Sequence, residues 1–312
     1  MNHYELTSLN LWQCRSDARF GDYFCHNVSI CDVTNDNLQN KDFAILGFAS
    51  DLGVERNFGR IGASLGPDAI RKCLSRITIP QIKPCYDAGN VVVDRSDSLL
   101  GAQMLLAQYV TKIIKSGSTP IVLGGGHETA YGHYLGQLDA LNEDIAILNF
   151  DAHFDLRTVN EDNEGTSGTP FRQIYNVCKE RGRQFNYYCI GIQPHANVNS
   201  LYEFARQTRT TYLEAKDVNT RTLQALIKTI LVKHKYVYLT VCLDVFHYSY
   251  APGVSAPQAL GISPHIVIEA LKQLQLSNQV VSMDIVELNP ELDIDNHTAR
   301  LAANLIAEFY YV

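Results

Sequence analysis

The feature that most constrains this chain is the stretch Asn149-Phe150-Asp151-Ala152-His153-Phe154-Asp155, which closes the apolar run Ile145-Ala146-Ile147-Leu148. Side chains in an extended segment alternate faces, so Asp151, His153 and Asp155 are expected to point the same way. Two carboxylates and an imidazole converging beside an apolar strand would be costly to bury unpaired. A divalent cation removes that cost and supplies a Lewis acid or an activated water. The bland alternative is a solvated strand end carrying scattered charges.

Two other strand ends argue against that alternative. Cys242-Leu243-Asp244 repeats the i, i+2 spacing after the apolar run from Tyr236, adding a potential thiolate and a carboxylate. His127 follows Gly124-Gly125-Gly126 just past Ile121-Val122-Leu123, where glycines let the backbone turn sharply and approach something closely. His127, Asp151, His153, Asp155, Cys242 and Asp244 thus supply six donors from three strands. A mononuclear site needs about three or four, so the set suggests two metals sharing ligands and a bridging hydroxide. Mostly oxygen and imidazole donors favour manganese over zinc.

Strand and helix patterns alternate through most of the chain. Expected strands cover 43–49, 119–123, 145–151, 187–192, 236–243 and 279–285, with a short extended segment at 90–93; expected helices open at Pro67 and run over 98–115, 129–141, 200–207, 220–233, 263–274 and 295–309. Such alternation implies an α/β fold with a mostly parallel sheet covered on both faces, and ligands in such sheets bind outside the carboxyl ends of the strands. The polar candidates sit there. Residues 1 to about 40 show no sustained period and read as an arm on a single domain spanning 1–312. The glycine-bearing loop at 57–66 lacks dinucleotide and P-loop spacing and reads as a loop beside the active face. The polar loop from Asn160 to Gly168 is long enough to line a substrate mouth.

Composition narrows the partners. The formal charge is -7, and Lys and Arg form no block, which argues against a nucleic-acid or anionic-membrane surface and for a small-molecule ligand. No apolar run approaches a membrane span and the N-terminal Met1-Asn2-His3-Tyr4-Glu5 does not read as a signal peptide, so a soluble cytoplasmic protein is expected. The eight cysteines show no CxxC pair and read as mostly reduced thiols, Cys242 being singled out by its position.

The motifs GGGHE at 124–128, NFDAHFD at 149–155, GRIGASLGPDAIR at 59–71 and CLDVF with APGVSAP between 242 and 257 resemble the ureohydrolase family of arginases and agmatinases. DAHFDLR at 151–157, TSGTPFRQIY at 166–175 and GIQPHAN at 191–197 are most similar to its formimidoylglutamase branch. The resemblance implies an arginase-like three-layer αβα fold and two Mn²⁺ ions. It also implies hydrolysis of N-formimino-L-glutamate to glutamate and formamide in histidine breakdown, and trimers or hexamers.

Carried over by residue, the resemblance makes His127, Asp151, Asp155 and Asp244 terminal or shared metal ligands and His153 a ligand of the second ion. Glu287 matches the acidic residue near the substrate amidine, its alternative being a surface glutamate. Arg157 is expected to pair with a substrate carboxylate, or else to form an ion pair within its loop. Two departures stand out. Ser167-Gly168 occupies the place of the proton-shuttling histidine of arginase-type enzymes, and Cys242 the place of the aspartate that usually bridges both metals, which weakens the expectation of a second ion. The expected chemistry is attack on the formimino carbon by a hydroxide whose pKa two cations have lowered, with Asp155 holding it and Glu287 steadying the amidine. The rivals are a guanidino hydrolase such as agmatinase, whose cationic substrate tail needs an acidic pocket, and a metal-poor inactive relative acting as a binding or regulatory protein.

Overall fold

The computed structural model describes residues 3–35, 38, 41–159 and 164–311. Among them ten strands form one sheet: β1 (His3–Glu5), β2 (Val28–Ile30), β3 (Phe43–Ala49), β4 (Cys85–Val92), β5 (Thr119–Leu123), β6 (Ile145–Phe150), β7 (Asn186–Ile192), β8 (Thr211–Glu214), β9 (Tyr236–Cys242) and β10 (Val280–Val286). Their order is β1-β4-β3-β5-β10-β9-β6-β7-β8, with β2 also paired to β4. Only β1 runs antiparallel to its neighbour.

Nine helices accompany the sheet among the described residues: α1 (Leu52–Arg56), α2 (Gly66–Leu74), α3 (Leu99–Lys115), α4 (Thr129–Leu141), α5 (Pro170–Glu180), α6 (Asn199–Gln207), α7 (Thr220–Lys233), α8 (Pro264–Leu276) and α9 (His297–Tyr310). Alternate residues of each strand face opposite layers. Ile45, Leu148 and Leu239 join the core under α2, α7, α8 and α9, while Leu46 packs under α3 and Ile147 and Tyr238 pack under α4, α5 and α6. The strands are therefore buried on both faces, as parallel strands covered by crossover helices must be. This is the three-layer αβα architecture expected from the alternation of elements and from the family resemblance. No helix is long and apolar enough to cross a membrane.

Helix starts follow local chemistry. Ser98 accepts a bond from the Gly101 N–H at 3.1 Å, Asn219 and Thr222 form a reciprocal capping box at the start of α7, and prolines occupy the first turns of α2, α5 and α8. Ser263 precedes Pro264 as expected, but its hydroxyl makes no capping bond.

The structure adds elements that the periodic pattern did not show. β4 begins at Cys85 rather than near Asn90, because a buried Asp87 and Gly89 interrupt its apolar run. α5 and the four-residue β8 had no counterpart in the expected elements. The Thr166-Ser167-Gly168-Thr169-Pro170 lead-in to α5 reads as loop, although Phe171, Ile174 and Cys178 lie on one buried helical face. The first forty residues, expected as an arm, contribute β1 and β2 to the sheet edge and bury Trp12 and Phe24. Of the expected substrate loop, residues 160–163 lie outside the described residues, as do parts of the segment before 41.

Asp87 anchors this edge. The buried Arg71 holds its carboxylate bidentately at 2.8 and 2.9 Å, the Trp12 indole N–H donates to it at 2.7 Å, and Arg71 also donates to Asn90 and to the Gly89 carbonyl. Removing one member of such a pair leaves a buried charge uncompensated. Arg71→Met is therefore expected to cost about 3–5 kcal/mol in guanidinium unfolding. Asp68→Ala, which removes the half-exposed partner of Arg71, should cost less than about 1 kcal/mol.

Candidate metal centre

The strand order brings β5, β10, β9 and β6 side by side, so their carboxyl ends form one continuous rim. His127 comes from the loop after β5, Glu287 follows β10, Cys242 ends β9 with Asp244 just beyond it, and Asp151, His153 and Asp155 follow β6. The glycine turn before His127 has a steric cause. A Cβ on Gly125 would lie 1.7 Å from the Ser50 carbonyl oxygen.

Convergence is achieved differently from the extended geometry that the spacing suggested. β6 ends at Phe150, and the residues after it turn: the Asp151 carboxylate accepts the His153 N–H at 2.7 Å, and Asp155 has a left-handed φ of 48°. Asp244 likewise lies in a 3₁₀ turn rather than in the strand. The donors meet because the backbone leaves the strand, with strain held at Asp155 and again at Glu287, whose φ is 70°.

The geometry centres on Asp151. Its Oδ2 lies 2.9 Å from His127 Nδ1, and its Oδ1 lies 3.5 Å from His153 Nδ1. Asp155 Oδ2 is 3.0 Å from His127 Nδ1, and Asp244 Oδ2 is 3.1 Å from His153 Nδ1. Two sets of donor atoms, each mutually within 4.8 Å, result: His127, Asp151 and Cys242, and Asp151, His153 and Asp244. Asp151 belongs to both. Asp155 touches His127 but stands outside both sets.

The environment fits divalent cations. His127 Nδ1 and Asp244 Oδ1 are buried yet make no aligned hydrogen bond, which is costly unless something else meets them. Burial disfavours charge on either imidazole, but Asp151 and Asp155 hold His127, and Asp244 and Asp151 hold His153, well above the usual histidine range. Burial, followed by the charge of Asp151, pushes Asp155 up to about 6. Burial and then Asp151, Asp244 and Glu287 raise the Cys242 thiol well above its ordinary value. A thiolate here requires a cation beside it.

Supporting contacts orient the donors. Thr240 Oγ1 lies 3.1 Å from His127 Nε2, leaving Nδ1 directed at the carboxylates, and Phe171 meets the same ring edge-on. Asn149 donates to Asp151 at 3.1 Å. Asn197 accepts from the Phe154 N–H and donates to the Ala152 carbonyl, pinning the ligand turn. None of these four was assigned a role from sequence. Thr240 could have been found, since it lies two residues before Cys242 and so shares its strand face.

Above the centre opens a cavity of about 290 Å³. His153, Asp155, Cys242, Asp244 and Glu287 form its floor, with His127 and Asp151 buried beneath. Arg157, Ser167, Asn57 and Asn197 are among its walls. Glu287 is no surface residue. It is buried, one oxygen accepts the His127 N–H at 2.8 Å, and burial together with Glu128 and Asp244 raises its carboxyl well above the usual range. Arg157 is exposed at the cavity and has no acidic partner among the described residues. Ser167 accepts a bond from Asn57 at 3.2 Å. Gly168 does not line the cavity; it accepts the Arg157 N–H at 2.9 Å, and a Cβ there would press within 2.9 Å of Arg157 Cδ.

A third donor group, Cys14, Cys25 and His26, lies in the N-terminal segment. There His26 Nδ1 accepts two backbone N–H bonds, from Gly21 and Tyr23. Its proton must sit on Nε2, which faces Cys14 Sγ at 3.5 Å, so this group is a hydrogen-bonded cluster rather than a metal site.

A model of the arginase family matches residues 41–311. A formimidoylglutamase from Legionella pneumophila is 42% identical over 312 residues, covering 99% of this chain and 97% of that protein. One from Clostridium tetani is 37% identical over 327 residues, covering 97% and 94%. The crystal structure of Trypanosoma cruzi formiminoglutamase with Mn²⁺ superposes with a TM-score of 0.80 at 26% identity, covering 88% of this chain and 95% of that one.

Two variants test the ligand geometry. Thr240→Val should weaken manganese binding about tenfold with circular dichroism unchanged, because it frees the His127 ring from its orienting partner. Cys242→Asp should tighten manganese binding in equilibrium dialysis, raising occupancy at limiting metal, since Mn²⁺ prefers oxygen to sulfur.

Proposed function

The chain belongs to the arginase family, and from that premise we propose that it hydrolyses N-formimino-L-glutamate to L-glutamate and formamide, in histidine degradation. The observation that carries this reading is the polarity of the cavity, with carboxylates at its floor and, at its wall, Arg157, which has no acidic partner among the described residues. The substrate has a cationic amidine at one end and two carboxylates at the other. Agmatine would present a cation where Arg157 stands.

His127, Asp151 and Cys242 would hold one manganese ion and Asp151, His153 and Asp244 a second; bound there, such cations would supply a lowered pKa for water and polarisation of the amidine. Glu287 faces the cavity with one oxygen fixed by the His127 N–H, and a cationic amidine beside it would favour its ionised form against the burial that opposes it, so that it meets the amidine as that group becomes tetrahedral. Asp155 is placed to accept the proton of the attacking water. The new C–O bond forms at the formimino carbon, the C–N bond to glutamate breaks, and the amine leaves with a proton. Arg157 is suited to one substrate carboxylate through its guanidinium fork, and Asn57, Ser167 and Asn197 offer neutral polar contacts around it. Ser167 and Gly168 carry no titratable group, so neither can take the part of a shuttling histidine.

The test is product analysis. Purified protein loaded with manganese should release formamide from N-formimino-L-glutamate and no urea from agmatine, and should lose activity on exhaustive chelation. Urea release from agmatine at a comparable rate would contradict the reading. Arg157→Ala should raise KM about tenfold or more with little change in kcat, as expected for a group that binds ground and transition states alike. Glu287→Gln should lower kcat/KM about a hundredfold, near 2.7 kcal/mol.

A further inference from the structure

Phe58 combines two costs at one residue. Its φ is 60°, a left-handed conformation that is an outlier for a bulky side chain, and the residue is 99% exposed. It also lines the cavity above the metal centre. Exposed apolar rings and strained backbones persist where surrounding structure enforces them, and they concentrate at functional sites.

The enforcement is visible on both sides of the residue. Asn57 N–H bonds the Gly53 and Val54 carbonyls, and Gly59 N–H bonds the Val54 carbonyl at 2.8 Å. A Cβ on Gly59 would lie 2.7 Å from Val54 Cγ1 and 2.9 Å from Ser255 Oγ. Arg60 then clamps the loop across the cavity, its N–H on Ser255 Oγ at 2.8 Å and its guanidinium on the Val254 and Ser255 carbonyls. Ile61 and Leu65 of the same loop are also partly exposed, but neither lines the cavity nor has a positive φ. The backbone is fixed, so the freedom left to Phe58 is rotation of its ring over the opening.

We propose that Phe58 is a substrate-contacting specificity residue whose ring closes over the methylene stem of a bound amino-dicarboxylate. This rests on the functional reading above. The walls otherwise mix polar side chains, Asn57, Arg157, Ser167 and Asn197, with the smaller apolar surfaces of Val54, Ala196, Leu201 and Ala256, and among the described residues Phe58 is their one aromatic ring. A ring already held at the rim supplies apolar cover with little conformational rearrangement of the chain.

Kinetics and fluorescence test this together. With N-formimino-L-glutamate, Phe58→Ala should raise KM about tenfold, equivalent to ~1.4 kcal/mol, at similar kcat, and Phe58→Leu should recover part of the loss. In Phe58→Trp, adding L-glutamate to the manganese-loaded protein should shift the emission to the blue, whereas the wild type, whose single tryptophan Trp12 is buried and bonded to Asp87, should not respond. Formamide production with an unchanged KM in Phe58→Ala would overturn this inference alone. No formamide from the wild type would overturn the functional reading instead. A lower oligomeric mass of Phe58→Gly in light scattering, at unchanged KM, would show a subunit contact and also overturn the proposal.

Discussion

The carboxylate of Asp151 is the constraint on which the rest of the centre depends. Completely buried, it faces one imidazole at 2.9 Å and a second at 3.5 Å, and the carboxylates of Asp155 and Asp244 approach the same two ring nitrogens. Three acids against two imidazoles leave an unbalanced buried charge, and among the described residues no Lys or Arg reaches it. Such an imbalance costs several kcal/mol per ion unless cations offset it. The glycine turn at 124–126, the left-handed Asp155 and the anchoring Asn149, Asn197 and Thr240 all serve to hold donors in that arrangement.

A second buried polar unit ties the supporting elements together. His133 on α4 bonds Asp284 on β10 at 2.6 Å, and the Tyr238 hydroxyl on β9 donates to the same carboxylate. These three elements lead from or into His127, Glu287 and Cys242 respectively. A buried charged network of this kind is matched by few alternative packings, which makes it a device for register rather than for net stability. The cavity above carries charge of opposite sign at floor and wall, matching a substrate with a cationic amidine and an anionic tail.

Much of this was legible in residues alone, though not always for the reason given. Five of the six residues singled out by type and spacing fall into the two donor sets and Asp155 meets His127 beside them, yet Asp151, His153 and Asp155 come together through a turn and not along a pleated strand. Alternation of faces was the wrong mechanism for a correct grouping. The strand order was not legible: that Glu287 touches the His127 N–H follows from β10 lying between β5 and β9, a long-range fact no local period encodes. β1, β2 and β8 are three or four residues long, too short for a period to register, and β4 was truncated because Asp87 reads as polar until its partner Arg71 is known. Asn197 sat within a motif noted for its family likeness, while its task of pinning residues 152–154 depends on contacts some forty residues away in sequence.

The measurement closest to the central claim is the stoichiometry of manganese in three forms of the protein, read by equilibrium titration with electron paramagnetic resonance of the free ion. The shared role of Asp151 predicts two ions in the wild type, one in His153→Ala, which breaks a single donor set, and none held tightly in Asp151→Ala, which breaks both. Retention of a tightly bound ion by Asp151→Ala, or equal loss from Asp151→Ala and His153→Ala, would contradict a centre built around one shared carboxylate.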